Sequence, residues 1–322
     1  MAISHYLKDI GRGKDGARAL DRAQATDLLG QVLDGTASDL EVGAFCIAMR
    51  IKGETPEEMA GFLDAIHQRL PRLAEPQRPL VVLPSYNGAR KLPLLTPLLA
   101  LLLARQGLSV LVHGSATEER RASSADVLAQ LGVAPQPVLQ TPAPGGVAYA
   151  PTALLLPGLE RLLQVRRVLG LRNSAHSLVK LLDPLAPVGA HSIVVGSYTH
   201  PEYAQSMAAT CALTGTCALL LRGTEGEPVA DPRRTPQMDA YLHGQHQRVQ
   251  EVQAGPLAAL PQLPTAIDAA STAAWIRSVL DGAQPVPAPI ARQVEHILRM
   301  AGQMSTEPAH DAHHLPTPPA PH

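Results

Sequence analysis

The order of predicted strands and helices through the middle of the chain constrains the fold most. Short apolar segments alternate with segments of helical spacing, and the connections between them are short. The predicted order is strand 80–83, helix 97–106, strand 109–113, helix 123–131, strand 193–195, helix 203–213 and strand 217–221. Such alternation is typical of a parallel sheet covered by helices. The sequence therefore predicts an α/β domain with a mainly parallel central sheet.

Two segments outside this alternation are helical throughout. Within residues 1–70, Ser38 with Glu41 forms a capping box, and Thr55-Pro56 is typical of a helix start. Residues from about 158 to 186 also have helical spacing and interrupt the α/β stretch. We expect both segments to form one small helical domain beside an α/β domain of residues 78–157 and 187–302. A cleft between two such domains is a usual place for a ligand.

Composition excludes several classes of protein. Hydrophobic residues make up 45% of the 322, which excludes a wholly disordered chain, and the formal net charge of −1 argues against a uniformly basic nucleic-acid binder. Three cysteines without metal-ligand spacing, no visible signal peptide and no apolar run of membrane-spanning length favour a cytoplasmic protein without membrane association. Residues 303–322, rich in Pro, Ala and His, predict a disordered tail.

Three motifs carry a family resemblance. Arg50-Ile-Lys-Gly-Glu54 lies at a turn between two predicted helices, and His113-Gly114 precedes an Ala-Asp-Val-Leu stretch at 125–128. Leu169-Gly-Leu-Arg172 is followed by Asp-Pro-Leu at 183–185. In this order the motifs resemble glycosyltransferase family 3, which includes anthranilate phosphoribosyltransferase and the nucleoside phosphorylases of similar fold. The resemblance covers most of residues 1–250 and implies their fold, a small helical bundle plus a larger α/β domain.

The positions that handle charge in catalytic family members are mostly changed. Their glycine-rich diphosphate loop corresponds to residues 84–91, where one glycine remains and Arg90 and Lys91 have appeared. The Asn and Arg that follow the family's His-Gly pair are here Ser115 and Ala116, and its two serines align with Glu119 and Arg120. We therefore assign no catalytic residue and expect only a remnant substrate pocket. The residues of this remnant are Ser85, Asn87, Gly88, His113 and Gly114.

Metal binding is not expected either. The family's acidic pair for Mg²⁺ has a partial counterpart in Glu225 and Glu227, which are spaced by one residue instead of adjacent. They are weak metal candidates only. We expect no cofactor, or Mg²⁺ if the chain is an active transferase.

These departures resemble the YbiB-like paralogues of the family, whose hallmark stretches look like residues 49–54, 171–178 and 221–228. That resemblance implies a homodimer, formed through the N-terminal helical domain, that binds DNA with little sequence preference and has no transferase activity. RNA is a further candidate ligand. Two alternatives stay open. One is a phosphoribosyltransferase, a pentosyltransferase that uses phosphoribosyl diphosphate with an unknown acceptor, and the other is an interaction scaffold that binds neither.

Basic residues occupy the segments that line the interdomain cleft in the family. Contacts from Arg and Lys to phosphates supply the sequence-independent part of nucleic-acid affinity. The candidate phosphate-binding residues are Arg50, Lys52, Arg90, Lys91, Arg120, Arg121, Arg166, Arg167, Arg172 and Lys180.

Overall fold

The computed structural model describes residues 3–13, 15–116, 120–189, 191–255 and 260–306. Its helices are α1 (Ser4–Ile10), α2 (Arg22–Asp34), α3 (Asp39–Lys52), α4 (Pro56–His67), α5 (Thr96–Arg105), α6 (Ser124–Gln130), α7 (Thr152–Leu155), α8 (Pro157–Leu169), α9 (Ala175–Leu178), α10 (Pro201–Thr214), α11 (Ala269–Leu280) and α12 (Ala288–Thr306). Its strands are β1 (Leu80–Ser85), β2 (Val110–Gly114), β3 (Val147–Pro151), β4 (Ser192–Tyr198), β5 (Ala218–Arg222), β6 (Met238–Leu242) and β7 (Gln245–Gln250).

The strands form one seven-stranded sheet in the order β3-β2-β1-β4-β5-β6-β7. Strands β1 to β5 are parallel, and β6 and β7 add an antiparallel hairpin at one edge. From β1 the chain moves to β2 and β3 on one side, and then continues with β4 and β5 on the other. The carboxyl ends of β1 and β4 therefore form the switch point at which open α/β sheets bind ligands. The predicted mainly parallel sheet is confirmed.

Helices cover both faces of the sheet. Leu80 and Val82 of β1 belong to the core that the sheet shares with the N-terminal helices, whereas Val81 and Leu83 pack with α5, α6, α11 and α12 on the opposite face. Burial on both faces explains why the strands are continuous apolar runs. No helix within the described ranges is both long and apolar enough to cross a membrane.

The N-terminal helices begin at the capping residues that the sequence indicates. Ser38 and Thr55 each form a capping box with the glutamate three residues later. Helix α8 packs on α2 so closely that a Cβ at Gly158 would lie 2.2 Å from the carbonyl oxygen of Leu33. Only glycine allows this approach, and it places α8 on the N-terminal helices.

Two predicted boundaries differ from the structure. The continuous helix expected at 159–182 is interrupted, because Gly170 adopts a left-handed conformation (φ 68°) that ends α8, and only the short α9 follows. Helix α12 continues to Thr306, since Met300 and Met304 are buried in the core, so the predicted tail from residue 303 starts inside a helix. The remainder of that tail, 307–322, lies outside the described residues.

Candidate functional site

The loop after β1 (residues 86–92, the β1 loop) lies at the switch point and surrounds a carboxylate of the protein itself. The backbone N–H groups of Asn87 and Gly88 donate to Oε1 of Glu227 at 2.7 and 2.9 Å. The hydroxyls of Ser85 and Thr96 donate to its Oε2 at 2.5 and 3.1 Å. Glu227 is only 1% exposed. A buried anion needs this number of donors, and here the chain supplies both the donors and the anion.

A second carboxylate completes the same arrangement. The carboxylate of Glu225 accepts hydrogen bonds from the backbone N–H groups of Arg90 at 2.8 Å and Lys91 at 2.9 Å. Successive backbone N–H groups that converge in this way form an anion-binding nest. The turn that carries both glutamates (Thr224–Glu227, the acidic turn) therefore fills the part of the β1 loop where the family resemblance implies a diphosphate.

The same contacts decide whether Glu225 and Glu227 suit a metal ion. Every oxygen of both carboxylates accepts at least one hydrogen bond from an amide or hydroxyl group, so part of the acceptor capacity that Mg²⁺ would use is already taken. Among the described residues no group of three or more His, Cys, Asp or Glu side chains is placed to hold a metal. In this conformation the acidic turn therefore offers Mg²⁺ no carboxylate oxygen that is free of a hydrogen bond.

His113 and Gly114 at the end of β2 serve the packing of the sheet. His113 is fully buried, and its Nδ1 lies 2.8 Å from the hydroxyl of Tyr86. Burial lowers the pKa of His113 to about 3, which keeps the ring neutral near pH 7. A Cβ at Gly114 would lie 2.1 Å from the carbonyl oxygen of Ser85, so the close approach of β2 to β1 requires glycine there.

Four predicted phosphate-binding residues belong to the β1 loop or donate hydrogen bonds to it, namely Arg90, Lys91, Arg121 and Arg172. Arg172 donates to the side-chain oxygen of Asn87 at 3.0 Å, and Arg121 donates to the Asn87 carbonyl at 3.1 Å. Arg167 donates to the carbonyl oxygen of Ala116, just after β2, at 3.3 Å. The exposed members of the predicted set are Arg50, Arg90, Lys91, Arg120 and Arg167, and the half-buried members near the cleft are Arg121, Arg166 and Arg172. Glu119, which aligns with a family serine, lies outside the described residues.

Two residues that the sequence predicts at phosphate, Lys52 and Lys180, instead bind oxygen atoms of the protein. The Lys52 ammonium lies 2.6 Å from the carboxylate of Glu58, with 9% of its side chain exposed. Lys180 donates to the carbonyl oxygens of Ser197 and Gly226 at 3.0 and 3.1 Å. Burial, assisted by Arg172, lowers the pKa of Lys180 to about 8. Both ammonium groups hold oxygen atoms of the protein, so neither is presented to phosphate.

A cavity of about 600 Å³ lies between the helical and α/β domains (the interdomain cavity). The end of α3 and the start of α4 form one wall, and the end of β4 with the start of α10 forms the other. Of the predicted site residues, Arg50, Arg172 and Lys180 line it. Sequence reasoning did not assign His176, Tyr198 or Tyr203 to a site. These residues come from separate segments, and no sequence motif connects them.

Sequence reasoning also missed the buried donor Thr96 and the polar cluster beside β2. Ser115 and Gln164 both donate to Oε1 of Glu160, at 2.7 and 2.6 Å. The spacing of Glu160 and Gln164, one helical turn apart on α8, was the only sequence signal for this cluster.

Comparison with known proteins agrees with this architecture. The helical bundle domain of the glycosyl transferase family matches residues 4–69. The Escherichia coli (strain K12) protein YbiB is 38% identical over 315 residues, which cover 95% of this chain and 96% of YbiB. Anthranilate phosphoribosyltransferase of Anaeromyxobacter dehalogenans (strain 2CP-C) is 33% identical over 202 residues, or 61% of this chain and 58% of that enzyme.

Solved structures show the same fold. Anthranilate phosphoribosyltransferase (TrpD) from Thermus thermophilus superposes with a TM-score of 0.72 at 22% identity, covering 94% of this chain and 89% of that one. The Saccharomyces cerevisiae enzyme, in complex with PRPP and Mg, gives a TM-score of 0.67 at 15% identity over 94% and 89% of the two chains. Together with the full-length match to YbiB, the helical bundle and the mainly parallel sheet show that the chain belongs to the anthranilate phosphoribosyltransferase-like proteins of glycosyltransferase family 3.

Proposed function

We propose that this chain is a non-catalytic, cytoplasmic protein that binds DNA and RNA without sequence preference. The observation that carries the proposal is the pairing of two features at the switch point. The acidic turn fills the anion site of the β1 loop, and basic side chains belong to that loop or contact it. Short diphosphates are thereby disfavoured, whereas a long polyanion has many cations to contact.

Negative charge of the protein itself already lies where transfer chemistry would need a diphosphate. A transferase of this family must hold a diphosphate through the loop after the first strand. Here Glu227 is buried beneath that loop and uses the N–H groups of Asn87 and Gly88. A diphosphate brought to the same N–H groups would meet a carboxylate, and like charges at such short range repel strongly.

The distribution of cations favours a long polyanion as the ligand. Arg90, Lys91 and Arg121 lie on the α/β side of the cleft, and Arg167 and Arg172 lie on the helical side. Arginine and lysine contacts to phosphate fix a nucleic acid in place without reading its bases. The net charge of −1 is compatible with this arrangement, because a local groove and not the total charge attracts the strand.

We also propose that the chain forms a homodimer through its N-terminal helical domain. Helix α3 exposes Leu40 (86%), Ile47 (36%) and Ile51 (61%), which lie on one side of the helix. Beside them a groove of about 340 Å³ is lined by apolar residues of α1 and α3. A contiguous apolar surface of this kind supports a protein interface.

A binding titration tests the nucleic-acid proposal. Labelled single-stranded and double-stranded DNA and RNA of unrelated sequences are titrated with the protein at low and moderate salt. If about six phosphates are neutralised, the affinity for duplex DNA should fall about a thousandfold between roughly 50 and 200 mM salt. Unrelated sequences should bind alike. Absence of binding at low salt would refute the proposal.

The transferase remains the second candidate, because a relative named anthranilate phosphoribosyltransferase is 33% identical over 202 residues. Titration calorimetry with phosphoribosyl diphosphate and Mg²⁺ separates the two functions. We expect no heat of binding from the wild-type chain. Saturable binding of the diphosphate would favour the transferase. Absence of binding in both the nucleic-acid titration and the calorimetry would favour an interaction scaffold.

A further inference from the structure

We infer that the interdomain cavity receives one unstacked nucleobase of a bound single strand, an inference that rests on the proposed nucleic-acid binding. Its volume of about 600 Å³ is within the range of about 300–1,000 Å³ that is usual for small-molecule sites. A base with its sugar is small enough to enter. The cavity lies beside the cations of the cleft, since Arg50 and Arg172 line it.

The apolar part of the lining suits the flat faces of a base. Met49 and Met59 enter from the helical domain, and Tyr203 and Met207 enter from α10. Thioether and aromatic groups make favourable contacts with π systems, and base stacking on such groups tolerates any sequence. This lining therefore agrees with binding that lacks sequence preference.

The polar part of the lining includes a buried group that needs a hydrogen-bond partner. His176 is 7% exposed, and its Nε2 has no hydrogen-bond partner among the described residues. Its Nδ1 lies 3.3 Å from the backbone nitrogen of Asn173. Burial and the nearby Arg172 lower the pKa of His176 to about 4, so the ring is neutral near pH 7. A neutral imidazole that lines a cavity with an unsatisfied nitrogen suits the hydrogen-bonding edge of a base.

The charges around the cavity suit a nucleotide whose phosphates stay outside. The cations in the lining are Arg50, Arg172 and Lys180, and the acids are Glu54 and Glu202. Arg50 is exposed at the end of α3, whereas Lys180 holds carbonyl oxygens of the protein. The interior thus holds neutral polar and apolar groups beside Lys180, whose ammonium is bound by carbonyl oxygens of the protein, and we assign the exposed Arg50 to the strand's phosphates.

The test compares a single strand that has bases with one that lacks them. The probes are a thymidine oligomer of about 12 nucleotides, an abasic strand of the same length, and inorganic polyphosphate. The wild-type protein should bind the thymidine strand about tenfold more tightly than the abasic strand, the size expected for one stacked and hydrogen-bonded base. His176→Leu should remove most of that difference and leave polyphosphate binding unchanged.

A matched control is available in His296 on α12, which is also 7% exposed and also has an unpartnered ring nitrogen, but does not line the cavity. His296→Leu should keep the full preference for the thymidine strand. If His176→Leu does not fold, Ser206→Ile narrows the cavity from α10 and should give the same loss. Equal binding of both strands by the wild-type protein overturns this inference alone, whereas binding of neither overturns the proposed function as well.

Discussion

Glu225 has a backbone conformation (φ 56°, ψ 20°) that residues with a Cβ rarely adopt, and this conformation costs about 1–2 kcal/mol. Its carboxylate is held by the N–H groups of Arg90 and Lys91 in the β1 loop. Hydrogen bonds to an ionised acceptor contribute about 1.5–3 kcal/mol each, which is enough to offset the backbone cost. At the scale of single residues, Glu225 therefore acts as the anion of a nest that would otherwise be vacant.

Glu225→Gly removes the carboxylate and places at this position the residue that the backbone conformation favours. The N–H groups of the nest should then accept an external anion. We expect the variant to bind inorganic pyrophosphate with a Kd of about 1 mM or tighter in titration calorimetry, where the wild-type chain shows no binding.

The control for this variant is His243→Gly, because His243 is the other described non-glycine residue with positive φ, at 47°. The His243→Gly variant relieves backbone strain without opening a nest, so it should not bind pyrophosphate. If the Glu225→Gly variant folds but does not bind pyrophosphate, the nest needs its own carboxylate to keep its shape.

At the scale of secondary-structure elements, α3 has apolar residues on two sides. Phe45, Cys46 and Met49 are buried in the core, whereas Leu40 and Ile51 are largely exposed. A helix at the surface of a globular domain normally has one apolar stripe and a polar opposite face. The second apolar stripe of α3 is therefore the surface that the proposed dimer would bury.

Ile47→Asp combined with Ile51→Asp places charges on this stripe and leaves the buried side unchanged. We expect the wild-type protein to sediment as a dimer at micromolar concentration and the double variant to sediment as a monomer with an unchanged circular dichroism spectrum. Leu213→Asp, at a 40% exposed position on α10, is the matched control and should remain dimeric. A monomeric wild-type protein would contradict the proposed interface.

At the scale of the whole molecule, the proposed nucleic-acid site has two basic walls, one from each domain. The helical domain contributes Arg166 and Arg167 at the end of α8, and the α/β domain contributes Arg90 and Lys91 after β1. A strand that runs through the cleft would contact both walls.

Removing the cations of either wall should therefore weaken binding of the same strand. Arg166→Ala with Arg167→Ala, and separately Arg90→Ala with Lys91→Ala, should each reduce the slope of log affinity against log salt by about 2 on duplex DNA. Arg78 and Arg105 lie near the amino ends of the parallel strands, opposite the β1 loop, because Arg78 precedes β1 and Arg105 ends the helix that leads into β2. Their double alanine variant is the control. An unchanged slope in one of the two wall variants would mean that the strand contacts only the other wall.

The main features of the architecture could be predicted from the sequence because the signals for them are local. Capping residues such as Ser38 and Thr55 start helices through contacts three residues away, and an apolar run such as the one at 80–83, within an alternation of short segments, indicates a strand buried on both faces. The resemblance of short motifs then indicated the family.

The partners of the charged groups could not be predicted from the sequence, because they are set by contacts in the folded chain. Glu227 is separated from Asn87 by 140 residues, so no spacing rule identified it as the anion beneath the β1 loop. The same holds for Lys180, which was expected at phosphate and instead holds the carbonyl oxygens of Ser197 and Gly226. A charged side chain is used by whichever partner the fold brings within hydrogen-bonding distance, and strands that are distant in sequence meet only once the sheet has formed.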